Sequence, residues 1–324
     1  MNWMEMAGRV VAGEDATREE LLAVMSSGDD ELLSVLNAAF YVRHHFHGRE
    51  VRVHVLQNAK SGLCPEDCKF CSQSIHFNSD IDRYNMQGVD ELVQGAHEAL
   101  AKGAVTYCMV TSTRGPTKRE VATVAEAARR IKSETPLHIC ASLGLLKPGQ
   151  AEQLKAAGVD RYNHNIETSE DFFPKVASTH QWRDRVGTVL EAKAAGLEAC
   201  CGGIMGLGES IEDRVDLAIA LRDIGVESVP VNFMDPRPGT PLGDVERPKP
   251  NDCLRALAMF RFAHPRADVR VAGGREVSLG AMQPLALYAA NSFFTDGYLT
   301  TPGAEPHQDW KMIEEAGFVG AAAK

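Results

Sequence analysis

The sequence predicts an α/β chain closed into a (β/α)8, TIM-type barrel behind an N-terminal helical extension. Three observations carry that prediction. After Gly48, short β-branched runs alternate with Ala-rich amphipathic stretches, eight of each, the pattern of a parallel sheet with helical crossovers. Several helical stretches stop at a glycine, namely Gly103, Gly158, Gly196, Gly225 and Gly317, the residue best suited to a helix end. The 324 residues are about twice a usual domain, and they also fit one barrel of roughly 250 residues with extensions.

Residues 1–48 form the extension, with apolar residues at helical spacing over 18–26 and 30–40. Residues 49–324 form the barrel and a C-terminal tail. Its strands are expected at 51–56, 106–110, 137–141, 161–165, 198–202, 228–232, 268–271 and 291–294. The helices between them are expected at 89–101, 119–133, 150–157, 181–195, 211–224, 251–263, 279–290 and 307–316. An open doubly wound sheet is the alternative architecture. No low-complexity linker divides the chain, and the Pro-rich stretch 235–250 reads as a functional βα loop.

Composition removes several classes of function. The formal charge of −10 argues against a nucleic-acid or anionic-membrane partner. No apolar run approaches the ~20 residues of a membrane span. The start, MNWMEM, lacks a secretory layout. The expected compartment is therefore the reducing cytoplasm, where eight cysteines point to metal or catalysis rather than disulfides.

Cys64, Cys68 and Cys71 stand at C-x3-C-x2-C spacing in SGLCPEDCKFCSQS, just after the first strand. Three thiolates can hold three irons of a cubane cluster and leave the fourth open. The motif, with Phe70 before its last cysteine, is similar to that of the radical S-adenosylmethionine (SAM) superfamily. The alternative is a zinc knuckle with His76 as fourth ligand. Cys108, Cys140 and Cys200 lie in the second, third and fifth strands, and Arg270 in the seventh. Singly, each cysteine reads as a small buried hydrophobe. Together they converge on the barrel axis, and a buried guanidinium needs anionic partners. They therefore mark a second metal site, although arginine stays protonated and is an unusual ligand.

The segments CPEDCKFCSQS, YCM, YNHN, CCGGIMGLGE, PGTPL and VRVAGGRE occur in order and together resemble the biotin synthase family. That resemblance implies a [4Fe–4S] cluster on Cys64, Cys68 and Cys71, and a [2Fe–2S] cluster on Cys108, Cys140, Cys200 and Arg270. Cys201 stands beside Cys200 and leaves the choice between them open, with Cys200 preferred by register. Cys253 matches no ligand and reads as core. SAM is expected against Phe70, Glu167, Gly202, Ile204, Gly206 and Glu209. Asn163 and Asn165, two apart and so on one face of a strand, can meet a cyclic urea. The resemblance implies that they bind dethiobiotin, with Asn232 as a further contact; the alternative is ordinary buried amides tying loops together. His44, His45 and His47 read as a polar helix end, and His164 is given no role.

The implied activity is a sulfurtransferase that forms biotin from dethiobiotin, the last step of biotin biosynthesis. The clusters and SAM carry its radical chemistry, without an acid–base side chain. A flavodoxin or ferredoxin as electron donor and a homodimer are implied in the same way. The rivals are a radical SAM relative of the hydrogenase-maturation or methylornithine-synthase kind, which lacks the full internal ligand set, and a non-catalytic iron–sulfur or zinc protein.

Overall fold

The computed structural model describes every residue except 302 and 324. Three helices, α1 (Trp3–Ala12), α2 (Arg18–Met25) and α3 (Leu32–His47), precede the first strand. A reciprocal capping box between Thr17 and Glu20 starts α2. The three histidines occupy the last turn of α3, and burial, with Arg261 beside it, lowers the pKa of His47 to about 3.

The barrel strands follow: β1 (Glu50–Lys60), β2 (Thr106–Thr111), β3 (His138–Ser142), β4 (Arg161–Asn163), β5 (Glu198–Cys200), β6 (Gly203–Met205), β7 (Ser228–Phe233), β8 (Asp268–Val271) and β9 (Ser292–Phe294). All pair in parallel, and β5 and β6 both lie against β7, so they serve as one interrupted strand. Pairing of His54 with Phe294 and of Arg52 with Ser292 joins β9 back to β1. That closure excludes the open sheet. A short β10 (Val319–Gly320) adds to β1 outside the ring.

Helices α4 (Val89–Ala101), α5 (Lys118–Glu134), α6 (Gln150–Ala156), α7 (Trp182–Ala194), α8 (Ile211–Ile224) and α9 (Pro250–Ala263) form the outer layer. Their apolar faces bury Val93, Val124, Leu154, Leu221 and Phe260 against outward residues such as Val53, Tyr107 and Val229. The helix expected over 279–290 is instead broken into α10 (Arg275–Leu279), a 3-10 turn and α11 (Gln283–Ala286). Gly280 at φ +51° and Pro284, which has no N–H to donate, interrupt it. Helix α12 (Pro306–Glu315) packs beside β10.

Two fully buried arginines close the end of the barrel where the strands begin. Arg43 donates to the carbonyls of Ala290, Gly48 and Glu50, and Arg261 to those of Ala289, His264, Pro265 and Ala267. Among the described residues neither pairs with a carboxylate, and burial lowers the pKa of Arg43 to about 10 and of Arg261 to about 9. Among the described residues, no helix is long and apolar enough to cross a membrane.

Candidate active site

A cavity of about 290 Å³ opens at the C-terminal mouth and reaches down among the strands. Cys64, Cys68 and Cys71 form part of its wall on the loop after β1. Local turns shape that loop: Cys71 N donates to Cys68 O at 2.9 Å, and Ile75 N to Cys64 O at 2.9 Å. The acids between the first two cysteines anchor it. Asp67 accepts from the backbone of Ser178 and Thr179, and Glu66 pairs with His180 and Arg114. His76 does not stand with the three motif cysteines in the cavity wall, and its Nε2 is engaged with the Pro65 carbonyl at 2.9 Å, which counts against the zinc-knuckle reading.

Deeper in the barrel, Cys108 and Cys140 are register partners on β2 and β3. The Cys200 sulfur accepts from Asn163 Nδ2 at 3.2 Å and from Arg270 Nη1 at 3.6 Å. Strand alternation sends Cys201 the other way, into the apolar layer with Ile166 and Leu217. Cys200 is thus the member of the pair that faces Cys140 and Arg270. Cys253 is core on α9.

Free thiols are the ligands that iron–sulfur clusters take, and the mouth loop and the inner strands each supply three. Among the described residues, however, no three of them are drawn together as a preformed metal site. Burial pushes the thiols of Cys68 up to about 12 and Cys71 up to about 11, and raises Cys64 as well. Hydrogen bonding with neighbouring thiols, and then burial, holds Cys140 and Cys200 well above the ordinary range. Such thiols stay protonated unless a metal replaces the proton. Arg270 adds an unpartnered Nε beside them.

Residues expected to meet SAM divide into two groups. Phe70, Glu167 and Ile204 line the cavity; Gly202, Gly206 and Glu209 do not. A Cβ on Gly202 would collide with the Pro230 carbonyl oxygen, so backbone packing requires this glycine. Glu209 accepts from Gly206 N and from Arg214 Nε, both at 2.7 Å. Glu167 holds φ +69°, which is strained for a side-chain-bearing residue. Its Oε1 accepts from Arg185 Nη1 at 3.0 Å, while Oε2 is buried without a partner. Burial raises its pKa, against the pull of Arg185. An orphaned carboxylate oxygen in a cavity suits a ligand hydroxyl donor.

Asn163, Asn165 and Asn232 all line the cavity and also tie strands together. Asn165 Oδ1 accepts from Gly202 N at 3.1 Å, and Asn232 bridges Gly203 O and Gly273 N at 3.1 and 2.9 Å. His164 is buried, and burial lowers its pKa well below the usual value.

Arg185 is the main residue that sequence reasoning missed. It leaves α7 to reach the Cys68 sulfur at 3.5 Å, His180 Nε2 at 2.8 Å and the Asn165 carbonyl at 2.8 Å, besides Glu167. In a stretch as charged as WRDRVGTVLEAKA, nothing marks it as buried. Tyr298, Thr300 and Thr301 were missed too. They follow β9 across the mouth, where Thr300 meets Ser72 at 3.1 Å and Thr301 accepts from Arg237.

Eight parallel strands with a three-cysteine loop at the mouth of the first define, as a class, a radical SAM enzyme. The Radical SAM superfamily profile matches residues 60–221, and that of the Biotin and Thiamin Synthesis associated domain matches residues 230–319. The chain is 63% identical to a biotin synthase of Salinibacter ruber (strain DSM 13855 / M31), over 98% of this chain and 88% of that one. It is 47% identical to a biotin synthase of Bacillus subtilis (strain 168), over 98% and 94%. It belongs to the biotin synthase family. Solved structures share the fold: methylornithine synthase at TM-score 0.86 and 19% identity, covering 98% of both chains. The FeFe-hydrogenase maturase of Carboxydothermus hydrogenoformans superposes at 0.82 and 16% identity, covering 99% of this chain and 79% of that one.

Proposed function

We propose that this chain is a biotin synthase in which Cys64, Cys68 and Cys71 hold a [4Fe–4S] cluster and Cys108, Cys140, Cys200 and Arg270 hold a [2Fe–2S] cluster. When bound, the first supplies reductive cleavage of SAM to a carbon radical, and the second supplies the sulfur that converts dethiobiotin to biotin. The observation that carries this reading is the nesting of two cysteine triads in one barrel, one on the mouth loop and one on the strands beneath it.

The protein's own groups bind, orient and exclude water. Arg185 is a buried cation beside the motif cysteines, suited to the carboxylate of the SAM methionine. The free oxygen of Glu167 suits a ribose hydroxyl. Asn163 and Asn165, with Asn232 across the barrel, offer amide donors and acceptors to a ureido ring. Leu56, Phe233, Phe294 and Tyr298 supply apolar wall that keeps water from a reactive radical. A mouth loop with three cysteines rather than four, and the carboxamides of Asn163, Asn165 and Asn232 in the cavity wall, count against a protein that only carries electrons. A flavodoxin or ferredoxin as donor, a homodimer and a cytoplasmic location belong to the same reading, as do an extension over 1–48 and a barrel domain over 49–324, of which 302 and 324 lie outside the described residues.

The test is anaerobic reconstitution followed by incubation with dethiobiotin, SAM and a low-potential reductant. Biotin and 5′-deoxyadenosine should both form, with iron and sulfide contents matching two clusters. Turnover of SAM without any biotin from a doubly loaded protein would overturn the reading.

A further inference from the structure

We infer that Asp268 is the positioning residue that holds the Arg270 guanidinium against Cys200 on the floor of the cavity. This rests on the assignment of Cys108, Cys140, Cys200 and Arg270 to the second cluster. Asp268 and Arg270 are two apart on β8 and face the same side of the strand. Asp268 is 4% exposed, and its carboxylate gathers almost every polar group at that depth. Arg270 Nη2 donates to Oδ2 at 2.8 Å and Arg161 Nη1 at 3.2 Å. Ser292 Oγ donates to Oδ1 at 2.5 Å and Asn291 Nδ2 at 3.1 Å.

The Arg270 fork is thereby divided. One terminal nitrogen is clamped between Asp268 and Ser228, the latter at 3.0 Å, while the other points at the Cys200 sulfur. The Phe294 ring, 5.1 Å from the guanidinium carbon, closes a third side. Among the described residues, Asp268 is the only carboxylate paired with Arg270. Without it, a neutral hydroxyl and a thiol would hold a buried cation, and an arginine side chain so held loses its fixed plane. The same carboxylate reaches Arg161, the register partner of Cys140. His54 stands 3.8 Å away with neither ring nitrogen hydrogen-bonded, so it supplies no competing anchor. Asp268 thus acts on the cluster site through Arg270 rather than by touching it.

The experiment is Asp268→Asn, which keeps the volume and removes the charge, in anaerobically reconstituted enzyme. Mössbauer spectra, iron and sulfide content and a redox titration read the two clusters separately. The expected result is an altered [2Fe–2S] signature and midpoint, because the Arg270 guanidinium is no longer held in one plane against Cys200, beside an unchanged [4Fe–4S] signature. Asp268→Glu should lie closer to wild type. In an Arg270→Met background, Asp268→Asn should change the second-cluster signature little, since its route of action is already removed.

Equal changes in both backgrounds, equal shifts in the Asn and Glu variants, or a fully loaded wild-type-like second cluster in Asp268→Asn would each overturn the inference. If Asp268→Asn alone fails to fold, the double variant decides. Recovery of a cooperative melt supports the coupling to Arg270, and failure to recover overturns it. A wild-type protein that loads only one cluster would instead refute the underlying assignment.

Discussion

Replacing Arg185 by methionine isolates the electrostatic link between the motif loop and Glu167. The substitution keeps most of the side-chain volume but removes the donors to Glu167 Oε1, the Asn165 carbonyl and His180 Nε2. Glu167 then becomes a buried carboxylate with neither oxygen paired, since Oε2 already has no partner. Breaking a buried pair from one side costs ~3–5 kcal/mol. At roughly 2 °C per kcal/mol for a chain of this length, the melting temperature should fall by about 6–10 °C. Adding Glu167→Gln removes the stranded charge and should restore most of that loss, a coupling of about 2 kcal/mol or more. The effect has a sign in pH. Burial raises the pKa of Glu167, and without Arg185 it rises further, so the folded variant binds a proton that the unfolded chain, at ~4.3, has released. Its stability therefore falls as pH rises above that value, and the Arg185→Met penalty should be larger at pH 8 than at pH 5. Thermal melts of the four proteins at both pH values make the measurement. An equal Arg185→Met penalty in the wild-type and Glu167→Gln backgrounds, or a penalty that grows toward acid, would refute the reasoning.

Cys68→Ala should remove the [4Fe–4S] cluster and the release of 5′-deoxyadenosine while the second-cluster spectrum persists, as anaerobic absorption spectra and product assay will read. Cys140→Ala should do the reverse, abolishing biotin formation while SAM cleavage continues; loss of both activities with an intact first cluster would contradict the separation. Asn165→Ala should weaken dethiobiotin binding by about one to two decades and SAM binding less, by titration. It should also cost ~1–3 kcal/mol in a denaturant melt, because Gly202 N loses its acceptor.

Most strand positions were legible because the chain alternates β-branched and amphipathic runs, although the strand expected over 161–165 ends at Asn163 and that over 198–202 stops at Cys200 and resumes at Gly203. The same alternation also fits an open sheet, which only the pairing of β9 with β1 excludes. The motif cysteines were legible because their spacing is local. The inner cysteines could be grouped only by assuming the barrel, and the choice of Cys200 over Cys201 needed the strand's actual facing. Asp268 was within reach: it stands two residues before Arg270 in the same short strand, and a second charge on that face signals a buried pair. Arg185 was not, because its partners His180, Glu167 and Asn165 lie outside its own helix, and Cys68 lies 117 residues away, so nothing in its helical pattern marks it as buried. Ligand contact and structural tie were set out as alternatives for the asparagines, and the structure gives Asn165 and Asn232 a place in both, since each lines the cavity and also holds a backbone group of a neighbouring strand.

The ring closes on the strand made first with the strands made last. Arg43 donates to the carbonyl of Ala290, 247 residues later, and β1 is flanked by β9 on one edge and joined by β10 outside. On a ribosome adding ~5–20 residues per second, β1 therefore waits on the order of ten to fifty seconds for its neighbour. Through that interval one edge of the growing sheet is bare, and the cysteines meant for the interior stand open to oxygen and stray metal. The late-paired edge of β1 is thus the place where pairing with another growing chain is to be expected during synthesis.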